Sequence, residues 1–456
     1  MAPAGGGRGS IPAGARLGAG EAEAAQRRVA GGLSASGVGP GDRVLVSLVP
    51  APDVVVLALG AVRSGVVPVM VDPGLLPHER AVVEADVEPA LVVDHPGTAA
   101  ALLEGPPTAI ADGPLVRPMH LTSGTTGRPK GVWFGAPDER AGAAWVEEET
   151  ALWGFADDDL HLVCGPLHHS APLRFAMMTL LAGGDVIVPQ RFSTEAFAAA
   201  LDAGVTTTFV VPAHLQRLLG PGSTEGRSGT DTSSLRLVAH AGAPCPEPLK
   251  RLAIDAFGSS VLWEFYGATE GQCTACDSPT WLERPGTVGR ARPGRSLAVD
   301  DDGAVWCGVP PHARFTYWRD EAATAAAWRG DAFTVGDAGR LDGDGHLFLE
   351  GRRGEIIITG GVNVAPLEVE RALGTCPGVH DVAVFGLGDE RWGERVCAVV
   401  VGEATADEVV AHAAVTLAAH KRPKQVLVVP AIPRNANGKV RRATLAADLG
   451  LSSGGG

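Results

Sequence analysis

The stretch Thr122-Ser-Gly-Thr-Thr-Gly-Arg-Pro-Lys-Gly131 gathers three glycines, four hydroxyl side chains and two cations into ten residues. Gly124, Gly127 and Gly131 let the backbone approach an anion closely, Thr122, Ser123, Thr125 and Thr126 supply donors, and Lys130 adds charge. The stretch therefore reads as a loop that cradles phosphate. Apolar residues between Leu115 and Leu121 predict a strand leading into it, and the chain turns apolar again at Val132-Trp133-Phe134. No Gly-Lys-Ser/Thr stands at the Walker spacing, so a P-loop NTPase is not implied. A plain Ser/Thr/Gly surface loop is the alternative that composition alone leaves open.

The whole chain sets the bounds. At 456 residues it exceeds one ordinary domain, and 45% hydrophobic with 20% charged residues is globular. No apolar run reaches the ~18 residues that span a bilayer, so no membrane partner is expected. A formal net charge of −14 argues against nucleic acid. The balance is uneven: from Gly351 onward 12 Lys and Arg face 11 Asp and Glu, against 26 and 41 before it, which suits a small C-terminal domain that meets a polyanion. Residues 1–20 are Gly/Ala/Pro-rich without a signal-peptide core and read as a disordered tail, making the cytoplasm the expected location. Seven scattered cysteines read as reduced thiols, and the close group His161, Cys164, His168 and His169 reads as accidental rather than as a metal site.

Strand and helix signals alternate from Asp42 to Phe265, which predicts parallel sheet covered by helices, in more than one sheet at this length. From Pro279 to Glu350, Gly, Pro and Asp punctuate short strand-like pieces, so a smaller antiparallel β portion is expected there. Beyond Gly351-Arg-Arg-Gly354 the alternation resumes as a compact α+β module of roughly 100 residues. The expected organisation is a tail at 1–20, a large α/β domain at 21–353 and a small C-terminal α+β domain at 354–456.

Five segments in order carry a resemblance: Thr122 to Gly131, Tyr266-Gly-Ala-Thr-Glu270, Gly336-Asp337, Gly351-Arg352 and Pro433-Arg-Asn-Ala-Asn-Gly-Lys439. Their order and separations resemble the adenylate-forming superfamily of acyl- and aryl-CoA ligases, adenylation domains and luciferases, over Val44 to Arg442. The resemblance implies an enzyme that makes an acyl-AMP from a carboxylate and ATP and passes the acyl group to a nucleophile, most often CoA. It implies that Thr122, Ser123, Gly124, Thr125, Thr126, Gly127 and Lys130 hold the β- and γ-phosphates. Glu270 is implied as the Mg²⁺ ligand, with Thr269 on phosphate, Tyr266 and Gly267 at the adenine, and the Gly242 and Ala243 backbone lining adenine and carboxylate. Asp337 is implied to take the ribose hydroxyls, with Arg352 beside ribose or phosphate. Lys439 is implied as the catalytic lysine reaching the carboxylate and α-phosphate from the small domain. His169, in Pro166-Leu-His-His169, is implied to shape the acyl pocket, although a packed core histidine is an equal reading. Gly360 and Gly361 resemble the glycines along which pantetheine passes, and His420-Lys-Arg-Pro423 adds cations for CoA.

Two departures stand out. Gly354 occupies the position where the family's hinge carries an aspartate, and Val335 replaces the usual Thr before Gly-Asp. The resulting expectation is an ATP- and Mg²⁺-dependent acid–CoA ligase, monomeric or homodimeric, for a small aromatic or medium-length aliphatic acid. His169, Ser170, Arg174, Trp263 and Gly267 are its pocket candidates, with Pro172 and Leu173 nearby. Transfer to an amine, activation of nitrite for aryl diazotisation, and a non-catalytic nucleotide-binding relative are the alternatives.

Overall fold

A computed structural model describes residues 14–122, 129–220, 231–389, 391–434 and 440–451. Two sheets form the body of the large N-terminal domain, and both are built from the short, almost wholly apolar runs that suit strands buried on two faces. The first runs Thr316–Tyr317, Lys130–Trp133, Met119–Thr122, Val67–Met70, Arg43–Val46, Leu91–Val93, with the last four strands parallel and the first two antiparallel. The second has eight strands, of which Asp185–Ile187, Leu160–Val163, Thr207–Val210, Leu237–His240 and Leu262–Glu264 are parallel. Antiparallel Thr274–Asp277 and Arg290–Ala291 complete one edge.

Helices join the two sheets into one core. All 12 residues of helix Pro52–Arg63 are buried, as an apolar helix hidden on every side requires. Its neighbour Ser170–Leu181 contributes Phe175, whose ring lies 5.3 Å from Trp153, 5.5 Å from Phe155 and 5.6 Å from Phe209. Arg63 ends its helix inside this core. Its guanidinium donates to Gln26 Oε1 and to the Ala111 carbonyl, both at 2.7 Å, and pairs with Glu23.

The antiparallel portion is present as the sheet Ser296–Val299, Val305–Gly308, Ala332–Phe333, Trp328–Arg329 and the hairpin Asp337–Leu341/Leu347–Arg352. Beyond it, Ile357–Thr359, Val362–Val364, Val379–Asp389, Gly393–Gly402 and Gln425–Val428 form a separate five-stranded sheet with helices Pro366–Leu373 and Ala406–Thr416, the smaller C-terminal domain. It touches the large domain where Arg371 Nη2 donates to the Gly286 carbonyl at 3.4 Å.

The expected tail is shorter than 1–20. Arg16–Leu17 adds an antiparallel strand beside Asp185–Ile187, and helix Ala19–Ala35 follows at once, with Asp185 accepting from Arg16 Nε at 2.6 Å and the Ala19 amide at 3.0 Å. Its alanine- and glycine-rich sequence hid that helix, because small residues make a weak apolar stripe yet pack closely; a Cβ at Gly32 would meet the Leu102 backbone at 2.7 Å. Among the described residues no helix is long and apolar enough to cross a membrane.

Burial keeps three histidines of this domain neutral: His120 is lowered to about 4, His161 to about 3 and His214 to about 4. The unfolded chain takes up these protons first, near pH 6.5. Their contribution is therefore complete above about 6.5 and is lost as the pH falls toward 4, at up to about 1.4 kcal/mol per histidine per pH unit. Melting temperatures recorded from pH 7.5 to 5 are expected to fall steadily; a flat profile would contradict this account.

Candidate active site

The parallel strands of both sheets end on one side, at Thr122, His240 and Glu264, and the cleft lies where those ends meet the antiparallel portion. Thr122 and Lys130 are paired across adjacent strands, which fixes the two ends of the glycine-rich loop as neighbours. Ser123, Gly124, Thr125, Thr126 and Gly127 lie outside the described residues. Lys130 Nζ sits 3.8 Å from Asp320 Oδ2 and 5.0 Å from the centre of the Tyr317 ring.

Tyr266 to Gln272 turns back on itself as the tight pair Gly267–Ala268/Gly271–Gln272. Gly267 is required there, since a Cβ would lie 2.6 Å from the Gly271 carbonyl oxygen and 2.7 Å from Gln272 Cα. The turn puts Glu270 into the cleft wall with 5% of its surface exposed. Burial raises the Glu270 carboxyl above its ordinary range, against the hydrogen bond it accepts from the Tyr317 hydroxyl at 2.8 Å. Behind the turn, the Tyr266 hydroxyl donates to Asp337 Oδ2 at 2.7 Å, and Arg352 Nε lies 3.3 Å from Asp337 Oδ1. The chain has only two tyrosines, and both donate to a carboxylate of this cleft. Tyr317 escaped the sequence reading because it lies in no motif; its rarity was the available signal.

Gly242, at φ +90°, turns the chain after strand Leu237–His240 toward Ala243. The strand end is pinned from below by a buried trio: Lys250 Nζ lies 2.5 Å from His240 Nε2 and 3.0 Å from Glu264 Oε2. His161 and Cys164 spend their side chains on Thr207 and Thr208. His169 stands just before helix Ser170–Leu181, its ring 4.3 Å from that of His168, whose carbonyl bonds His120 Nδ1 at 2.8 Å.

Of the pocket candidates, Ser170 and Arg174 line a cavity that continues from Thr269 and Glu270 into the domain. His169, Trp263 and Gly267 are not in its lining, and Pro172 and Leu173, expected nearby, are buried in the same helix as Ser170 and Arg174. Arg117, Glu149, Gln272, Arg292 and Arg295 share that cavity, which makes it strongly polar. Glu149 Oε1 accepts from Arg292 Nη1 at 2.7 Å and from Arg174 Nη1 at 3.4 Å.

In the C-terminal domain Gly360 and Gly361, at φ +58° and +79°, form the turn between Ile357–Thr359 and Val362–Val364. Lys439 lies outside the described residues, between Arg434 and Val440, which are bridged. Gly354 is in a short 3-10 turn, and nothing lies within 4 Å of where its Cβ would be, so no crowding demands glycine.

The family model for AMP-binding enzymes matches residues 10–117 and 118–310, and that for the AMP-binding enzyme C-terminal domain matches residues 368–439. The chain belongs to the AMP-binding enzyme family. An indoleacetate–CoA ligase of Aromatoleum aromaticum is 35% identical over 75% of this chain and 70% of its own length. The ATP-bound structure of MatB from Rhodopseudomonas palustris superposes with a TM-score of 0.81 at 30% identity, covering 94% of this chain and 93% of that one. The o-succinylbenzoate CoA synthetase of Bacillus subtilis, in complex with ATP and magnesium ion, gives 0.78 at 25% identity over 93% and 94%.

For this AMP-binding enzyme Arg442 is an addition. No role in any motif marks it, yet it anchors the helix Arg442–Asp448 to the C-terminal sheet. Its guanidinium donates to Glu355 at 2.7 Å, to Glu370 at 2.6 Å and to the Val384 carbonyl at 3.0 Å. Arg442→Met strands the buried Glu370 carboxylate and is expected to destabilise the C-terminal domain by about 3–5 kcal/mol. Urea unfolding monitored at Trp392 measures it, and an unchanged midpoint would remove the anchor role.

Proposed function

We propose that the cleft is the adenylation site of an AMP-forming acid–CoA ligase, with Lys130, Tyr266, Glu270, Asp337 and Lys439 in separate roles. In the first step a carboxylate oxygen of the acid attacks the α-phosphorus of ATP and pyrophosphate leaves. In the second the thiolate of CoA attacks the acyl carbon and AMP leaves with the oxygen that came from the acid. Both steps bring anions together, so the site must supply cations and donors in fixed places.

Glu270 carries this reading. A carboxylate at 5% exposure, supported by one tyrosine hydroxyl, is a strong oxygen donor short of positive charge. A hard cation fits it, and Mg²⁺ bound with ATP would neutralise charge on the phosphates. Asp337, a carboxylate whose two oxygens meet Tyr266 and Arg352, has the bidentate acceptor form that suits two ribose hydroxyls. Tyr266, held by that bond, offers its ring to adenine, and the backbone at Gly242 and Ala243 lines the base and the reacting carboxylate. Lys130 and the residues from Thr122 to Gly127 receive the leaving pyrophosphate, with Thr269 beside them and Arg352 near the ribose. His169 borders the acid.

The small domain, from Gly354 onward, brings Lys439 to the α-phosphate and then presents Gly360 and Gly361 to the pantetheine of CoA. Strands on either side of Gly354 belong to different sheets, which supports a hinge there. All seven cysteines are unpaired and six are buried, which suits a reducing cytoplasm.

Pyrophosphate release across a panel of acids tests these roles. Glu270→Gln and Lys439→Ala are each expected to lower the rate on the order of 10²- to 10³-fold, as the loss of a preorganised charge does. A Lys439→Ala enzyme that adenylates at the wild-type rate would remove that lysine from the chemistry.

A further inference from the structure

The cavity that continues inward from Thr269 and Glu270 holds more positive charge than its surroundings neutralise. Four guanidinium groups line it, those of Arg117, Arg174, Arg292 and Arg295. Two carboxylates answer them. Glu149 takes Arg292 and Arg174, while Glu148 takes Arg295 through both oxygens, at 3.1 and 2.9 Å, and also lies 2.9 Å from His312 Nε2. Among the described residues Arg117 has no carboxylate partner. Its Nη2 donates to the His312 carbonyl at 3.0 Å, and its guanidinium lies 4.5 Å from the centre of the Phe134 ring and 4.8 Å from that of Trp145.

Further capacity is unused. Arg292 Nε, Arg174 Nε and Glu149 Oε2 are buried with no hydrogen-bond partner, and Arg292 and Glu149 are 3% and 2% exposed. Burial also lowers Arg117 to about 9, against the pull of Glu149 and Glu148. An apolar acyl chain entering here would leave these charges uncompensated and strip their remaining water. A planar anion would answer them, since a guanidinium offers a fork that fits a carboxylate.

We infer that the cavity receives a second anionic group of the acid substrate, so that the preferred substrate is dicarboxylic, one carboxylate reacting near Thr269 and Glu270 and the other held among the arginines. This rests on the adenylation reading of the cleft. It also supplies a filter: a monocarboxylic acid of the same skeleton loses because it leaves the arginines unanswered.

The test uses matched pairs, hexanoate with adipate and benzoate with terephthalate, in two measurements on the full chain. In pyrophosphate release the diacid of each pair is expected to show at least tenfold higher kcat/KM. In calorimetric titration without ATP the diacid is expected to bind at least tenfold more tightly. Arg117→Met is expected to reduce both preferences tenfold or more, chiefly through KM, and Arg117→Lys to restore part of them. Should Arg117→Met not fold, the lysine variant and the wild-type ratios still decide. Monoacids that react and bind as well as their diacid partners overturn the anion pocket and leave adenylation standing. Tight diacid binding without pyrophosphate from any acid overturns the adenylation reading and leaves the pocket standing.

Discussion

The Glu270 carboxyl is buried in the cleft wall against the Tyr317 hydroxyl, and the proposed site is arranged so that a cation arriving with the nucleotide would answer it. The tight turn at Gly267–Gln272 exists only because Gly267 lets two backbone segments come within contact, and the turn alone fixes where the carboxylate points. Tyr317 reaches it from the edge strand of the other sheet, so the two sheets are registered against each other at the site itself. Burial of the Lys250, His240 and Glu264 trio beneath the neighbouring strand ends keeps that register from yielding when anions arrive.

The same economy governs the nucleotide side. Tyr266 and Asp337 come from distant parts of the chain and are joined by one 2.7 Å hydrogen bond, which orients the ring and the carboxylate together. A hydroxyl donating to an ionised group makes a strong bond. On the C-terminal side, Arg442 does for the lysine segment what Tyr266 does for Asp337. It ties the chain after Lys439 to Glu355, one residue past the proposed hinge glycine. Motion of the small domain would therefore carry the helix Arg442–Asp448 with it.

Much of this was legible because it is local. The glycine- and hydroxyl-rich loop is a short contiguous stretch read from its composition, and Tyr266 to Glu270 and the Gly336-Asp337 pair are short contiguous stretches read through the family resemblance. Parallel sheets were legible for a similar reason, since strands buried on both faces are apolar runs. The arginine-lined cavity was not. Glu149 and Arg292 are 143 residues apart, and Arg117 and Arg174 come from separate segments again, so nothing in any window announces that they meet. Only Arg174 was singled out, and as a residue equally suited to the surface. Helix Ala19–Ala35 was missed because alanine and glycine carry little periodic signal.

The central claim is that the acid is activated as an acyl-adenylate before CoA receives it. An acid labelled with ¹⁸O in its carboxylate, turned over with ATP and CoA, tests this most directly by mass spectrometry of the products. The account predicts one ¹⁸O atom in AMP and unlabelled pyrophosphate. Unlabelled AMP, or label appearing in inorganic phosphate with ADP as the nucleotide product, would contradict it.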